Sequence, residues 1–139
     1  NGGSHGSPPI PGVSLNHHDL SHHGQDPGKL KQLGLVETEV MKVFGEFLGK
    51  LKGTAEEGET LLDRSAVFLG SNLGNASNHS TKNLPVLLAG GGFKHGEHLA
   101  FDPKSAPPLC NLFVSLLQRM GIETDRFGSA TGTLTGLTT

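Results

Sequence analysis

Residues 66–90 read AVFLGSNLGNASNHSTKNLPVLLAG. Two short apolar runs, AVFLG (66–70) and PVLLAG (85–90), bracket a stretch of small and polar residues. Runs of this length without alternation fit strands covered on both faces. With helical patterns on either side of them in the chain, they predict an α/β sheet between helices. In such sheets the loops after the strand C-termini are where ligands bind. His79 sits in the middle of that loop.

The segment before these strands carries the clearest helix signal. Asp26 is placed to cap and Pro27 to occupy a first helical position. Leu30, Leu33, Val36, Val40, Phe44, Phe47 and Leu51 then recur at steps of three and four, which predicts one amphipathic helix to about Lys52. Gly34, Gly45 and Gly49 each cost such a helix roughly 1 kcal/mol against Ala. They suit close approach of a neighbouring element. Residues 53–65 read as a connection with a short turn at Thr60–Asp63. After the strands, GGGFKHGEHLAFD (90–102) suits a hairpin-like excursion around Lys94–Gly96. PPLCNLFVSLLQRMG (107–121) predicts a second helix, with Leu109, Leu112, Phe113, Leu116, Leu117 and Met120 as its core face and Gly121 as its stop. Residues 1–16 are Gly-, Pro- and Ser-rich and read as an arm or linker. The Gly/Thr/Ser-rich tail from Asp125 is expected to be ordered by packing on another element.

Composition narrows the function classes. The chain has 139 residues, enough for one domain, with 34% hydrophobic residues, seven Phe and no Trp or Tyr. Net charge is −2, with no basic block and no aromatic–basic interleaving, so nucleic acid is not an expected partner. No apolar run approaches the ~20 residues of a membrane span. A single cysteine, Cys110, excludes an intrachain disulfide; within a helix and with no base nearby, it reads as a structural thiol. Asn1 stands where an initiating Met would, which suits a processed, trimmed or partial chain.

Residues 17–23 read HHDLSHH, four of the eight histidines of the chain. Asp19 and His23 are four apart, a spacing that puts an oxygen and a nitrogen donor on one side of a helical turn. Neutral imidazole and carboxylate suit Zn²⁺ and related divalent ions. The same residues fit a solvated polar turn, or a patch of imidazoles that titrates near neutrality. Asn75-Ala76-Ser77 and Asn78-His79-Ser80 match the glycosylation acceptor pattern, which is easily met in an Asn/Ser-rich loop. The glycines at 90–92 lack the Gly-Lys-Ser/Thr of a phosphate loop and read as a strand-ending turn.

Four motifs in order carry a family resemblance: HHDLSHHGQDPGKL (17–30), LLDRSAVFLGSNLGNASNHSTKNLPVLLAGGG (61–92), PLCNLFVSLLQRMGI (108–122) and DRFGSATGTLTGL (125–137). Together they resemble the C-terminal part of an uncharacterised, commonly exported bacterial protein family, itself similar to the alkaline phosphatase/sulfatase superfamily. The resemblance covers about residues 16–137. It implies that residues 17–139 form part of a mostly parallel α/β sheet with flanking helices, acting outside the cytoplasm. It also implies a divalent metal centre, Zn²⁺ or similar, that hydrolyses a small anionic phosphate or sulfate ester. Asp19 and His23 match the superfamily's Asp-x-x-x-His ligand pair and His79 its later loop histidine. His18 and His22 stand beside them as further members of the metal shell. Ser71 and Asn72 replace the superfamily's Asp-His pair, and are expected to orient substrate oxygens or a metal-bound water. The family itself tends to carry Asp where this chain has Asn75 and His where it has Thr81. The nucleophile would lie in an N-terminal portion that this sequence does not include, so the implied partner is that missing portion or another copy in an oligomer. The rival expectation is a non-catalytic exported binding or structural protein on the same fold.

Overall fold

A computed structural model describes residues 10–137; most of the 1–16 arm therefore lies outside the described residues. In chain order the elements are α1 (His17–Ser21), α2 (Pro27–Gly53), β1 (Ala55–Glu56), β2 (Glu59–Thr60), β3 (Ala66–Gly70), a 3-10 turn (Ala76–Asn78), β4 (Val86–Gly90) and α3 (Cys110–Arg119). The chain divides into two units. One runs through Lys50 and takes in Gly70–Val86; the other comprises Leu51–Leu69 and Leu87–Thr139.

In the first unit α2 starts where its sequence signals say. The Asp26 carboxylate accepts from the Lys29 N–H at 2.8 Å, and Pro27 opens the helix. The described end of the arm lies along this helix: Ser14 N–H donates to Gln32 Oε1 at 2.8 Å. Val36 is the buried residue of α2, while Val40, Val43 and Phe47 are exposed, Val43 at 65%. The helical glycines differ from expectation. A Cβ built at Gly34, Gly45 or Gly49 meets nothing within 4 Å, so no neighbour uses the space they leave.

The expected piece of a mostly parallel, alkaline-phosphatase-like sheet is not formed. The described strands make two separate two-stranded sheets, β1–β2 and β3–β4. β1 and β2 are antiparallel, with Ala55 opposite Thr60 and Glu56 opposite Glu59. β3 and β4 are antiparallel too. The Ser71 N–H, just past β3, donates to the Pro85 carbonyl just before β4. At the other end Gly91 lies against Ala66. The connector explains the direction. A parallel return needs a crossover, usually a full helix. Residues 71–85 hold only the 3-10 turn and fold back on themselves through an Asn75–Ser80 bridge. Nor are the strands buried on both faces: Phe68 and Leu87 are exposed and their apolar neighbours half-buried. An unbroken apolar run cannot report strand direction, and here it does not report burial either.

The second unit is held by α3 and the tail. The described buried apolar side chains in it are Phe93, Leu112, Val114 and Leu137. Buried Asn111 joins helix to tail: its Oδ1 accepts from Thr131 N–H at 2.9 Å and its Nδ2 donates to the Thr133 carbonyl. Ser115 Oγ accepts from Leu134 N–H. The tail is thus ordered on another element, as expected. It is bonded to the side of α3 that carries Asn111 and Ser115; of the expected core face Leu112 is buried, Leu109, Phe113, Leu116 and Leu117 are half-buried, and Met120 is 71% exposed. Phe113 meets the Phe68 ring and the tail's Phe127 ring edge-on. The helix stops in a Schellman arrangement, with Ile122 N–H to the Leu117 carbonyl and Gly121 N–H to that of Gln118. Residues 93–102 form no strand, so the expected hairpin there is absent.

The connection 53–65 holds a hairpin that its sequence did not announce. The turn between β1 and β2 is Glu57-Gly58, with φ +53° and +90°. The usual residues for such a turn are Asn-Gly or Asp-Gly. The expected turn at Thr60–Asp63 is present. Asp63 Oδ2 accepts from Thr60 N–H and Oγ1, and Thr60 Oγ1 accepts from Asp63 N–H. This is the reciprocal pattern of a capping box. β4 ends on Gly90, where a Cβ would lie 2.2 Å from the Leu62 and Ser65 carbonyl oxygens.

Two predictions follow from these local geometries. Gly90→Ala forces a methyl into two carbonyls at φ +73° and should lower stability by about 2 kcal/mol or more. Gly34→Ala, with open space and helical geometry, should raise it by roughly 1 kcal/mol; urea titration of both variants checks the pair. Separately, hydrogen bonds from Thr60 hold the Asp63 carboxyl below its ordinary pKa. A depressed carboxyl contributes stability above the unfolded pKa of ~3.9 and loses it as pH falls through the folded value. The stability gap between wild type and Asp63→Asn should therefore be full at pH 6 and close below about pH 4, read from thermal melts across that range.

Candidate functional site

The site lies in the first unit, where the exit of α1 meets the 75–80 turn. α1 begins at an Asn16 cap. Asn16 Oδ1 accepts from Asp19 N–H at 2.9 Å, and Asn16 Nδ2 donates to Asp19 Oδ2 at 2.6 Å. Leu20 is fully buried and pins the helix, which leaves the flanking histidines towards solvent. The helical register continues to His22, whose N–H donates to the His18 carbonyl at 3.1 Å. It ends there: His22 has ψ 52°.

That ending sorts the histidines. His18 and His22 are four apart within the helical register, and their rings meet edge-on with centroids 4.8 Å apart. The expected Asp19–His23 pair has the same spacing in sequence, but His23 lies beyond the helix end. Its Nδ1 accepts from the Gln25 N–H at 3.1 Å.

His79 arrives from 57 residues further on and meets the His22 ring edge-on at 5.0 Å. The turn that carries it is stiff. Asn75 Oδ1 accepts from Ser77 N–H, and Asn78 Oδ1 from Ser80 N–H. His79 itself caps the 3-10 turn in the left-handed region, at φ 54°. One bond fastens turn to helix exit: the Gly24 N–H donates to Ser77 Oγ at 3.0 Å. Ser71 Oγ accepts from Leu73 N–H, and Ser71 and Asn72 are both exposed.

Of the expected metal shell, then, His18, His22 and His79 are side by side, while Asp19 and His23 make local hydrogen bonds. His18 and His79 are exposed and His22 half-buried. Among the described residues, no three His, Cys, Asp or Glu side chains are already posed around one point as an ion requires. Neither the implied set of Asp19, His23 and His79 nor the ring cluster of His18, His22 and His79 fits a metal as it stands. Asn16 and Ser77, which orient the cluster, were not singled out in the sequence. Asn16 was legible as a helix cap, with an acidic residue three positions on. Ser77 was not, because its partner is 53 residues away.

Cys110, at the first residue of α3, lies away from this cluster in sequence and in the other unit. The Ser129 hydroxyl donates to its sulfur and holds the thiol below its ordinary pKa. No helix among the described residues is long and apolar enough to cross a membrane. The chain matches no family model, no curated protein and no solved structure.

Proposed function

We propose that this chain binds a divalent metal ion where α1 meets the 75–80 turn, and that the ion serves recognition of an anionic ester. The observation that carries the proposal is the position of the His22 ring, in edge contact with both His18 and His79. Ring pairs contribute only ~0.5–1.5 kcal/mol beyond burial. This cluster is largely open to solvent, so burial offers little further reason for it. The helical register sets His18 beside His22, the Gly24–Ser77 bond brings His79 alongside, and imidazole is the commonest metal ligand. Two imidazoles on one tetrahedral Zn²⁺, with nitrogens at ~2.0–2.1 Å, have ring centroids about 5 Å apart. The observed spacings support that reading, with rotation of the exposed His18 and His79 rings left to aim the nitrogens.

A bound ion would polarise a phosphate or sulfate oxygen. Ser71 and Asn72, on the loop that carries His79, are the groups we assign to orient that oxygen. No described residue is assigned as nucleophile, and we expect no ester turnover from residues 1–139 alone. Action outside the cytoplasm belongs to the same proposal and is supported by the family resemblance only. Mass spectrometry after Zn²⁺ loading and desalting tests the binding. About one ion per wild-type chain is expected, lost in His22→Ala/His79→Ala while far-UV circular dichroism is unchanged. Wild-type protein free of metal after loading would sink the proposal.

A second reading, binding without chemistry, is favoured by α2, where Val40, Met41, Val43 and Phe47 are all exposed. Four exposed apolar side chains on one helix suit an interaction face. If self-association covers it, light scattering at tens of micromolar should give a dimer or larger for wild type and a monomer for Val43→Glu/Phe47→Glu. Monomers in both would remove self-association from this reading.

A further inference from the structure

We infer that two copies of this chain associate through α2 in antiparallel fashion, with a two-fold axis passing beside Phe44. The inference rests on the second reading above, that the exposed apolar side of α2 is an interaction face. It adds the occupant of that face, a second copy, and the register in which it sits.

Val36, Val40, Val43 and Phe47 follow one another at steps of four, three and four, so they form a single stripe along the helix. The chain covers that stripe at Val36 and leaves it open beyond: Val40, Val43 and Phe47 are exposed, and Phe44 beside them is half-buried. One edge of the open part carries a row of charges, Glu39, Lys42, Glu46 and Lys50, again at helical steps. Glu39 and Lys42 are paired along it at 2.6 Å. The signs alternate, and an alternating row is complementary to itself when reversed. A second α2 laid antiparallel, with Phe44 opposite Phe44, sets Glu39 beside Lys50 of the other copy and Lys42 beside its Glu46. The two-fold axis repeats both pairs. The same register lays Val40 of each copy against Phe47 of the other. A two-fold contact needs one patch that matches itself, and the stripe with its charged edge supplies one. In a parallel pair the row would face the opposite edge of the stripe, where Phe44 and Leu51 stand, and find no charge match there. A wholly acidic or wholly basic partner would match only half of the row.

Charge reversal, read by light scattering of the full chain at tens of micromolar in low salt, tests the register. Wild type should be a dimer. Glu39→Lys/Glu46→Lys makes the whole row basic, and Lys42→Glu/Lys50→Glu makes it acidic. Each variant alone should dissociate more than about tenfold more readily, because weak surface ion pairs become repulsions. An equimolar mixture of the two should restore the dimer. A second readout leaves the contact untouched: spin labels on Gly34→Cys in a Cys110→Ser background. Gly34 faces open space. It lies about ten residues from the centre, so at ~1.5 Å per residue the two labels should sit about 30 Å apart along the axis. Parallel helices would hold them roughly 10 Å apart. Labels at that shorter distance, a mixture that stays monomeric, or a dimer that Val43→Glu/Phe47→Glu breaks and charge reversal does not, would each overturn the antiparallel register while leaving self-association through α2 standing. A monomeric wild type overturns both.

Discussion

The candidate site depends on a single hydrogen bond between distant segments, from the Gly24 N–H to Ser77 Oγ at 3.0 Å. Each side of that bond is locally rigid. Asn16 caps α1 on one side, and buried Leu20 fixes the helix underneath. On the other, the Asn75–Ser80 bridge and two Asn side chains hold the turn. Two stiff pieces joined at one point bring the His22 and His79 rings together with few degrees of freedom left between them. Neither piece has a chemical identity alone. A histidine-rich turn and a lone loop histidine are both ordinary surface features, and only their junction makes a cluster.

The other unit is organised by carbonyls and one amide. Buried Asn111 satisfies both ends of its side chain on the tail, at Thr131 and Thr133, which makes an irregular segment behave as a packed layer. At the end of β4, Arg119 donates to the Gly91 and Gly92 carbonyls and His95 meets that of Gly90. The glycine run therefore presents carbonyl oxygens to cationic or N–H groups, the opposite of a phosphate cradle, which presents N–H groups. Its chemistry is that of a fastened turn.

What could be read from the sequence was whatever is settled within about four residues. The start of α2 at Asp26-Pro27, the stop of α3 at Gly121 and the Thr60–Asp63 turn are all local hydrogen-bond patterns, and all are present. Strand direction was not readable. It is set by how residues 71–85 turn back, and an apolar run reads the same in either direction. The buried side of α3 was legible in part, at Leu112. Periodicity did not show that buried Asn111 would bind a polar tail, nor that Met120 at the end of the expected face would be exposed. At the site, the Asp19–His23 spacing needs a helical register one residue longer than α1 provides. His18 and His22 lie inside that limit and His23 lies outside it.

The candidate site therefore stands on the contact between His22 and His79. The most direct measurement is a nuclear Overhauser experiment between their ring protons in metal-free protein at neutral pH. Centroids 5.0 Å apart in edge contact should give a clear cross-peak. A spectrum with assigned ring protons and no such cross-peak would mean that the two segments do not meet, and the site would not exist.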